Sequence, residues 1–358
     1  MKYFIITIGC QMNKSDSERI AGYLEENGYK PARNRKQADL VILVTCGIRQ
    51  SAENRAYSFV NQIKKENSKA KIILTGCLSK REDVKKRLKD KVDIWLNIDD
   101  LPNFNVGVYC NTPISENYLT LNPKYSSKKS AFVPIGNGCN NFCSYCVVPY
   151  ARGREIYRPV LDILDEVKNL VKKEYKEIIL IAQNVNSYKS LIKNKSINFA
   201  ELLKLINNIE GDFHIRFYTS HPKDMSDELI NVIAKCDKIH KHIHLPIQSG
   251  DDEILKAMNR KYTVAHYKKL IKKIRKYIPD AKITTDVIVG FPGETKKQFN
   301  NTAKLFKEIK FEMAYVSKYS VRPGTVACKF DDNISQEEKK NREQKLIKIL
   351  NEEKYFKK

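Results

Sequence analysis

Short runs of Ile, Leu and Val recur along this chain, each followed by a stretch of helical spacing. That alternation constrains the fold more than any other feature. Strands covered on both faces read as continuous apolar runs, and a βαβα order builds a parallel sheet with covering helices. The first part carries such runs at 3–7, 40–45, 71–75 and 93–96, with helical patterns at 15–26 and 51–66 between them. A second series predicts strands at 131–135, 177–181, 214–218, 242–245, 282–289 and 313–317, with helical patterns that include 160–174 and 263–277. Pro, Asn, Ser and Lys dominate residues 111–130, which predicts a loosely packed linker. The expected fold class is therefore α/β. An open parallel sheet domain spans 1–110, the linker 111–130, a partial (βα)6 TIM-like barrel 131–334 and a charged helix 335–358.

The nine cysteines fall into sets. Cys139, Cys143 and Cys146 lie in GCNNFCSYCVVPYARGR with Cys-x3-Cys-x2-Cys spacing, just after a predicted strand. Three thiolates this close can hold three irons of one 4Fe-4S cubane and leave the fourth iron open to an outside ligand. A structural zinc site needs four ligands, and no fourth Cys or His lies nearby in sequence. Cys10, Cys46 and Cys77 are far apart in sequence but alike in position, closing the runs FIITIGC, VILVTC and IILTGC. Loops at the carboxyl ends of parallel strands gather at one sheet edge. Three separate strands can thus bring three thiolates together for a second 4Fe-4S cluster, the other reading being three buried cysteines at strand ends. Cys110, Cys236 and Cys328 have no such company and read as packing residues. An odd cysteine number with no secretion signal argues against a disulfide framework and for a cytoplasmic protein.

Lys and Arg number 65 against 42 Asp and Glu, a net charge of +23. This favours a polyanionic partner, although a genome rich in Lys, Asn and Ile would produce the same excess. No apolar run is long enough to cross a bilayer, so no membrane association is expected.

The motifs together resemble one family, the radical S-adenosylmethionine tRNA methylthiotransferases, and within it the MiaB type. The matching runs span residue 9 to about residue 327: GCQMNKSDSER, TCGIRQSAENR, TGCLSKR, GCNNFCSYCVVPYARGRE, IAQNVNSY, RFYTSHPKD, HLPIQSG, TTDVIVGFPGET and YSVRPGT. QNVNSY and TSHPKD are closer to this branch than to its sisters, which act on threonylcarbamoyl-adenosine of tRNA or on an aspartate of a ribosomal protein. The resemblance implies a substrate, N(6)-isopentenyladenosine next to the anticodon, and a product, its 2-methylthio derivative. It implies that S-adenosylmethionine binds the open iron of the cluster on Cys139, Cys143 and Cys146 and is cleaved there to an adenosyl radical. The second cluster would carry sulfur, and a second S-adenosylmethionine would methylate it. No amino-acid side chain acts as a catalytic group in that scheme. Implied partners are the anticodon stem-loop of tRNA, a reducing electron donor such as flavodoxin or ferredoxin, and a sulfur donor. Relatives usually carry a closing β-barrel RNA-binding (TRAM) module, and no run of short strands for one follows residue 335. Two other readings stay open: the same chemistry on threonylcarbamoyl-adenosine, and a non-enzymatic two-cluster electron carrier or RNA-binding regulator.

Other candidates are single residues. By the resemblance, Tyr145 lies near the adenine of the cofactor, with core packing as the other explanation. Gln183 and Asn184 end a predicted strand and either face the cleft or serve loop hydrogen bonds; Gln248 and Ser249 follow the same logic toward the cofactor. Arg152, Arg154 and Arg158 follow the cysteine loop and suit RNA phosphate or a carboxylate, or else form a solvated basic loop. GFPGE (Gly290–Glu294) predicts a tight turn without phosphate-loop spacing. His221 and His244 read as structural histidines.

Overall fold

The computed structural model describes residues 1–104 and 117–355, so Cys110 and residues 111–116 of the expected linker lie outside the described residues. The first unit is a five-stranded parallel sheet of β1 (Lys2–Thr7), β2 (Lys30–Pro31), β3 (Leu40–Thr45), β4 (Lys71–Gly76) and β5 (Ile94–Trp95), in the order β2-β1-β3-β4-β5. Helices α1 (Gln11–Glu26), α2 (Gln50–Glu66) and α3 (Glu82–Leu88) cover it. All six residues of β3 are buried. Val41 and Leu43 join the core on one face, while Leu40, Ile42 and Val44 join the core on the other, as the two-residue period of a strand demands. The register pairs Thr7 with Val44 and Thr45 with Gly76, so β1, β3 and β4 end side by side.

The second unit holds six parallel strands. These are β6 (Ser130–Pro134), β9 (Glu177–Ile181), β12 (His214–Phe217), β13 (His242–His244), β14 (Lys282–Val289) and β15 (Met313–Lys318). Two three-stranded ladders, β12-β9-β6 and β13-β14-β15, are linked by a parallel bridge between Ile215 and Ile239. The covering helices are α5 (Val160–Lys172), α6 (Phe199–Asn207), α7 (Asp227–Lys235), α8 (Asp252–Ala257), α9 (Val264–Tyr277) and α10 (Lys296–Ile309). Between β6 and α5 run the short pair β7 (Gly136–Asn137) and β8 (Ile156–Tyr157) and the helix α4 (Val148–Arg152). The last helix, α11 (Gln336–Tyr355), packs on α10 and β15 and puts Leu346, Ile349 and Leu350 into the barrel core. Gly290 has φ +67°, and a Cβ there would run into Lys339 of α11, which explains the glycine that opens the GFPGE turn.

Three features depart from the sequence reading. Residues 117–130 form a packed strap rather than a loose connection. Tyr118 and Leu119 are buried, Lys124 N donates to Glu18 O at 2.8 Å and Ser126 binds the Glu18 carboxylate. Helix α5 ends at Lys172 because Glu174 takes φ +62°. An unforeseen hairpin joins β10 (Lys189–Ile192) to β11 (Lys195–Asn198), turning on Lys193 and Asn194, both with positive φ.

Three buried arginines tie the units together. Arg19 pairs with Glu166, Arg152 with Asp16, and Arg322 with Glu53.

Candidate active site

The aligned ends of β1, β3 and β4 bring Cys10, Cys46 and Cys77 to one place. Cys10 is the N-cap of α1, and Cys46 follows β3 and accepts backbone hydrogen bonds from Ile48 and Arg49 at the start of α2. Cys77 follows β4, its N donating to Thr45 O at 2.9 Å. The loops touch. A Cβ on Gly9 (φ +126°) would lie 2.5 Å from Cys46 Cβ and 3.2 Å from its Sγ, and one on Gly47 would lie 3.4 Å from Cys77 Cβ. Only a residue without a side chain permits this approach at Gly9. Burial, then the neighbouring Cys77, pushes the Cys46 thiol up to about 12. Burial raises Cys10 as well, against the pull of the Arg152 guanidinium. Thiols held neutral this way become thiolates when a metal supplies the positive charge.

The second trio lies on the loop between β7 and α4. Gly138 (φ +84°) and Phe142 (φ +47°) bend the loop. Cys139 Sγ accepts from Asn141 Nδ2 at 3.4 Å, and Cys143 Sγ accepts from Arg260 Nη1 at 3.4 Å. Cys146 N donates to Cys143 O at 3.0 Å. Burial is the main force raising Cys139 and Cys146; Cys146 also feels Cys143, Cys139 and, across the two units, Cys77. Cys77 shares a cavity of 310 Å³ with Val147 and Ala151, which follow the third cysteine of the loop. Among the described residues no three His, Cys, Asp or Glu side chains converge on a single metal ion. A cubane asks for something different, one thiolate on each of three irons.

Two larger cavities join the trios. One of 830 Å³ is lined by Cys10 and Cys46 on one wall and by Tyr218, His242, His244 and Met313 on the other. One of 630 Å³ is lined by Tyr145, Cys146 and Gln248. Ile48, Arg49, Ser51, Asp286 and Tyr315 line both, which makes them one continuous cleft. Ile48, Met313 and Tyr315 are 47%, 42% and 50% exposed there, an apolar lining on both sides of the gap.

The sequence-predicted residues divide. Tyr145 and Gln248 reach the cleft beside Cys146. Gln248, only 8% exposed and at φ +69°, keeps a buried Oε1 with no donor, as does Gln183. A buried carbonyl oxygen without a partner is costly, and a ligand N–H or O–H would satisfy it. Gln183 itself lines neither cavity. Asn184 serves the fold, donating to Asp224 at 2.7 Å. Ser249 is fully buried and lines neither cavity, and its Oγ accepts from Asp251 N at 3.3 Å. The structure places Arg152 and Arg158 in ion pairs inside the protein. Arg152 binds Asp16 at 2.6 Å, Arg158 binds Glu166 at 2.7 Å, and both are buried. Arg154 alone of the three is exposed, stacked over Phe142 at 4.4 Å. His244 bonds Thr284 at 3.0 Å and Asp286 at 3.2 Å, while His221 is buried against Tyr262. Cys236 and Cys328 are half-buried and have no part in either trio. Sequence reasoning missed Arg260, which lies outside the cysteine motifs. It also missed the alternating His240, His242 and His244, whose two-residue spacing along and before β13 is a strand-face signal.

The model of the radical SAM superfamily matches residues 133–306, and that of an uncharacterized protein family, UPF0004, matches residues 2–97. The chain is 44% identical to the tRNA-2-methylthio-N(6)-dimethylallyladenosine synthase of Clostridium botulinum strain Hall, over 98% of this chain and 82% of that protein. It is 45% identical to the enzyme of the same name from Thermoanaerobacter pseudethanolicus, over 98% and 78%. Among solved structures it resembles the radical S-adenosylmethionine methyltransferase TsrM of Kitasatospora setae, with TM-score 0.61 at 12% identity, over 91% of this chain and 74% of that one. At that identity the likeness concerns the fold alone.

Proposed function

The chain belongs to the tRNA methylthiotransferases of the radical SAM superfamily, and from that premise we propose that it places a methylthio group on C2 of N(6)-isopentenyladenosine (dimethylallyladenosine) beside the anticodon of tRNA. The observation that carries this reading is the single cleft onto which both trios open, Cys10 and Cys46 in one part and Cys146 in the other. Radical attack on an aromatic C–H that no general base could deprotonate, followed by capture of sulfur, requires both functions at one base.

Residues 1–110 supply Cys10, Cys46 and Cys77 as one cluster cradle. Residues 131–334 supply Cys139, Cys143 and Cys146 as the other, and α11 (Gln336–Tyr355) braces the barrel. When bound, the two 4Fe-4S clusters and S-adenosylmethionine supply the adenosyl radical and the sulfur. The chain's own residues bind and orient. Tyr145 and the unpaired Oε1 of Gln248, which line the cleft beside Cys146, would meet the cofactor, and the unpaired Oε1 of Gln183 is a further candidate contact. Ile48, Met313 and Tyr315 offer apolar surface to the isopentenyl group. Arg154 remains an exposed cation for RNA phosphate. The working partners are the anticodon stem-loop, a flavodoxin- or ferredoxin-class reductant and a sulfur donor, in the cytoplasm. No helix among the described residues is long and apolar enough to cross a membrane.

The test is mass spectrometry of nucleosides after anaerobic reaction of the reconstituted chain with isopentenylated tRNA. The expected product is 2-methylthio-N(6)-isopentenyladenosine. Methylthiolation of threonylcarbamoyl-adenosine instead, or no methylthio product from either RNA, would overturn this reading.

A further inference from the structure

Burying a guanidinium is costly unless an anion answers it. Among the described residues the buried arginines obey that rule with one exception. Arg19, Arg152, Arg158, Arg322 and Arg342 each reach a carboxylate. Arg260, just after α8 and only 9% exposed, reaches none among the described residues. Its Nε donates to Tyr262 OH at 2.8 Å and its Nη2 to Pro246 O at 3.1 Å, both neutral partners. Its remaining amino group, Nη1, donates to Cys143 Sγ at 3.4 Å. The fork is held on two sides by the strand-end loop at Pro246 and by Tyr262, so its third side is fixed on the sulfur.

We propose that Arg260 is the counter-cation of the cluster cradled by Cys139, Cys143 and Cys146, and that its N–H···S contact and charge raise that cluster's reduction potential. This rests on the cluster assignment made above. Reduction adds one electron, taken from a one-electron donor that is oxidised by one, with no proton moved. Negative charge then grows on a group that already carries three thiolates. A fixed cation at hydrogen-bond distance from one of those sulfurs stabilises the reduced state more than the oxidised one. The missing carboxylate belongs to the same device, because an Asp or Glu at Arg260 would cancel the field at the sulfur. Arg260 acts through the Cys143 sulfur and is therefore a positioning and tuning residue.

The experiment is a potentiometric titration, followed by electron paramagnetic resonance, of the anaerobically reconstituted full chain. The radical-forming cluster is recognised by the change in its signal when S-adenosylmethionine is added. In R260Q its midpoint should become more negative, the reduction equilibrium falling at least tenfold, about 59 mV for one electron. R260K keeps the charge but loses the fork, so its midpoint should lie between those of R260Q and wild type. An unmoved midpoint in R260Q with full iron content overturns the proposal. Should R260Q lose its iron, R260K decides. Retained iron with a small negative shift supports the role of charge. Iron lost from R260K too, with wild-type circular dichroism, makes Arg260 a shape-filling residue and overturns it. A wild-type chain that takes up no cluster on the Cys139 loop would sink the cluster assignment instead.

Discussion

Arg152 Nη2 donates to Asn13 Oδ1 at 2.8 Å, joining the helix that follows Cys146 to the helix that follows Cys10. Asn13 extends the link through its amide, which donates to Ile8 O at 2.6 Å and Thr45 O at 3.0 Å, the backbone just before Gly9 and Cys46. Arg152 also binds Asp16 at 2.6 Å and Asn137 at 3.1 Å. One buried side chain thus bridges the two cysteine-bearing loops, beside the Arg19 and Arg322 ties between the units.

Removing that cation leaves the Asp16 carboxylate buried without its partner. R152Q should lower unfolding stability by about 3–5 kcal/mol, the usual cost of breaking a buried pair from one side. The double variant R152Q/D16N should recover part of the loss. Denaturant unfolding of the three proteins under the same anaerobic loading checks this; a single variant as stable as wild type would show that the bridge is not what holds the loops.

Replacing Cys139, Cys143 and Cys146 with alanine should halve the iron per chain and abolish 5′-deoxyadenosine formation. Replacing Cys10, Cys46 and Cys77 should also halve the iron but leave cofactor cleavage in place, because the N-terminal trio would hold sulfur rather than deliver the electron. Iron assay and chromatography of 5′-deoxyadenosine separate the two. Full methylthiolation by the second variant would remove the sulfur-carrying role from the N-terminal trio.

The strand ends were legible because three apolar runs each stop at a cysteine, and parallel strands deposit their carboxyl ends together. What could not be read were long-range partners. GCNNFCSYCVVPYARGR places Arg152 beside the cysteines, with Arg158 four residues past its end, yet the carboxylates that claim them, Asp16 and Glu166, lie 136 and 8 residues away, and only the fold decides that they meet. The same holds for Arg260, 117 residues from the sulfur it contacts. The strap at 117–130 read as loose because its polar composition hid two buried residues, Tyr118 and Leu119.

Ile48, Met313 and Tyr315 stay exposed only because the cleft is open, so a ligand with an apolar arm gains by covering them. M313Q should narrow the preference for isopentenylated over unmodified anticodon stem-loop RNA by about 10-fold, the low end of what a pocket gains from an apolar group. Competition of the two RNAs, read as the ratio of kcat/KM, measures it. An undiminished ratio in both M313Q and I48N would place the isopentenyl group elsewhere.

His221 offers a pH test with a definite sign. Burial first, then the cations of Arg260 and Lys223, push its imidazole down to about 2. Its Nδ1 accepts from Lys223 N at 3.2 Å, its backbone N donates to Asn186 at 2.9 Å, and Tyr262 meets its ring at 5.5 Å, so no carboxylate among the described residues is bonded to it to welcome a proton. An unfolded chain protonates this residue near pH 6.5, while the folded one keeps it neutral. Below that pH the unfolded state binds more protons, so stability is complete above about 6.5 and declines as pH falls toward the folded value, by about 1.4 kcal/mol per pH unit. Unfolding free energies at pH 6.0 and 5.0 should therefore differ by about one such step more in wild type than in H221Q, which has nothing to titrate there. Identical slopes for the two proteins would mean that His221 takes up its proton in the folded state after all, with Arg260 displaced from its place beside it.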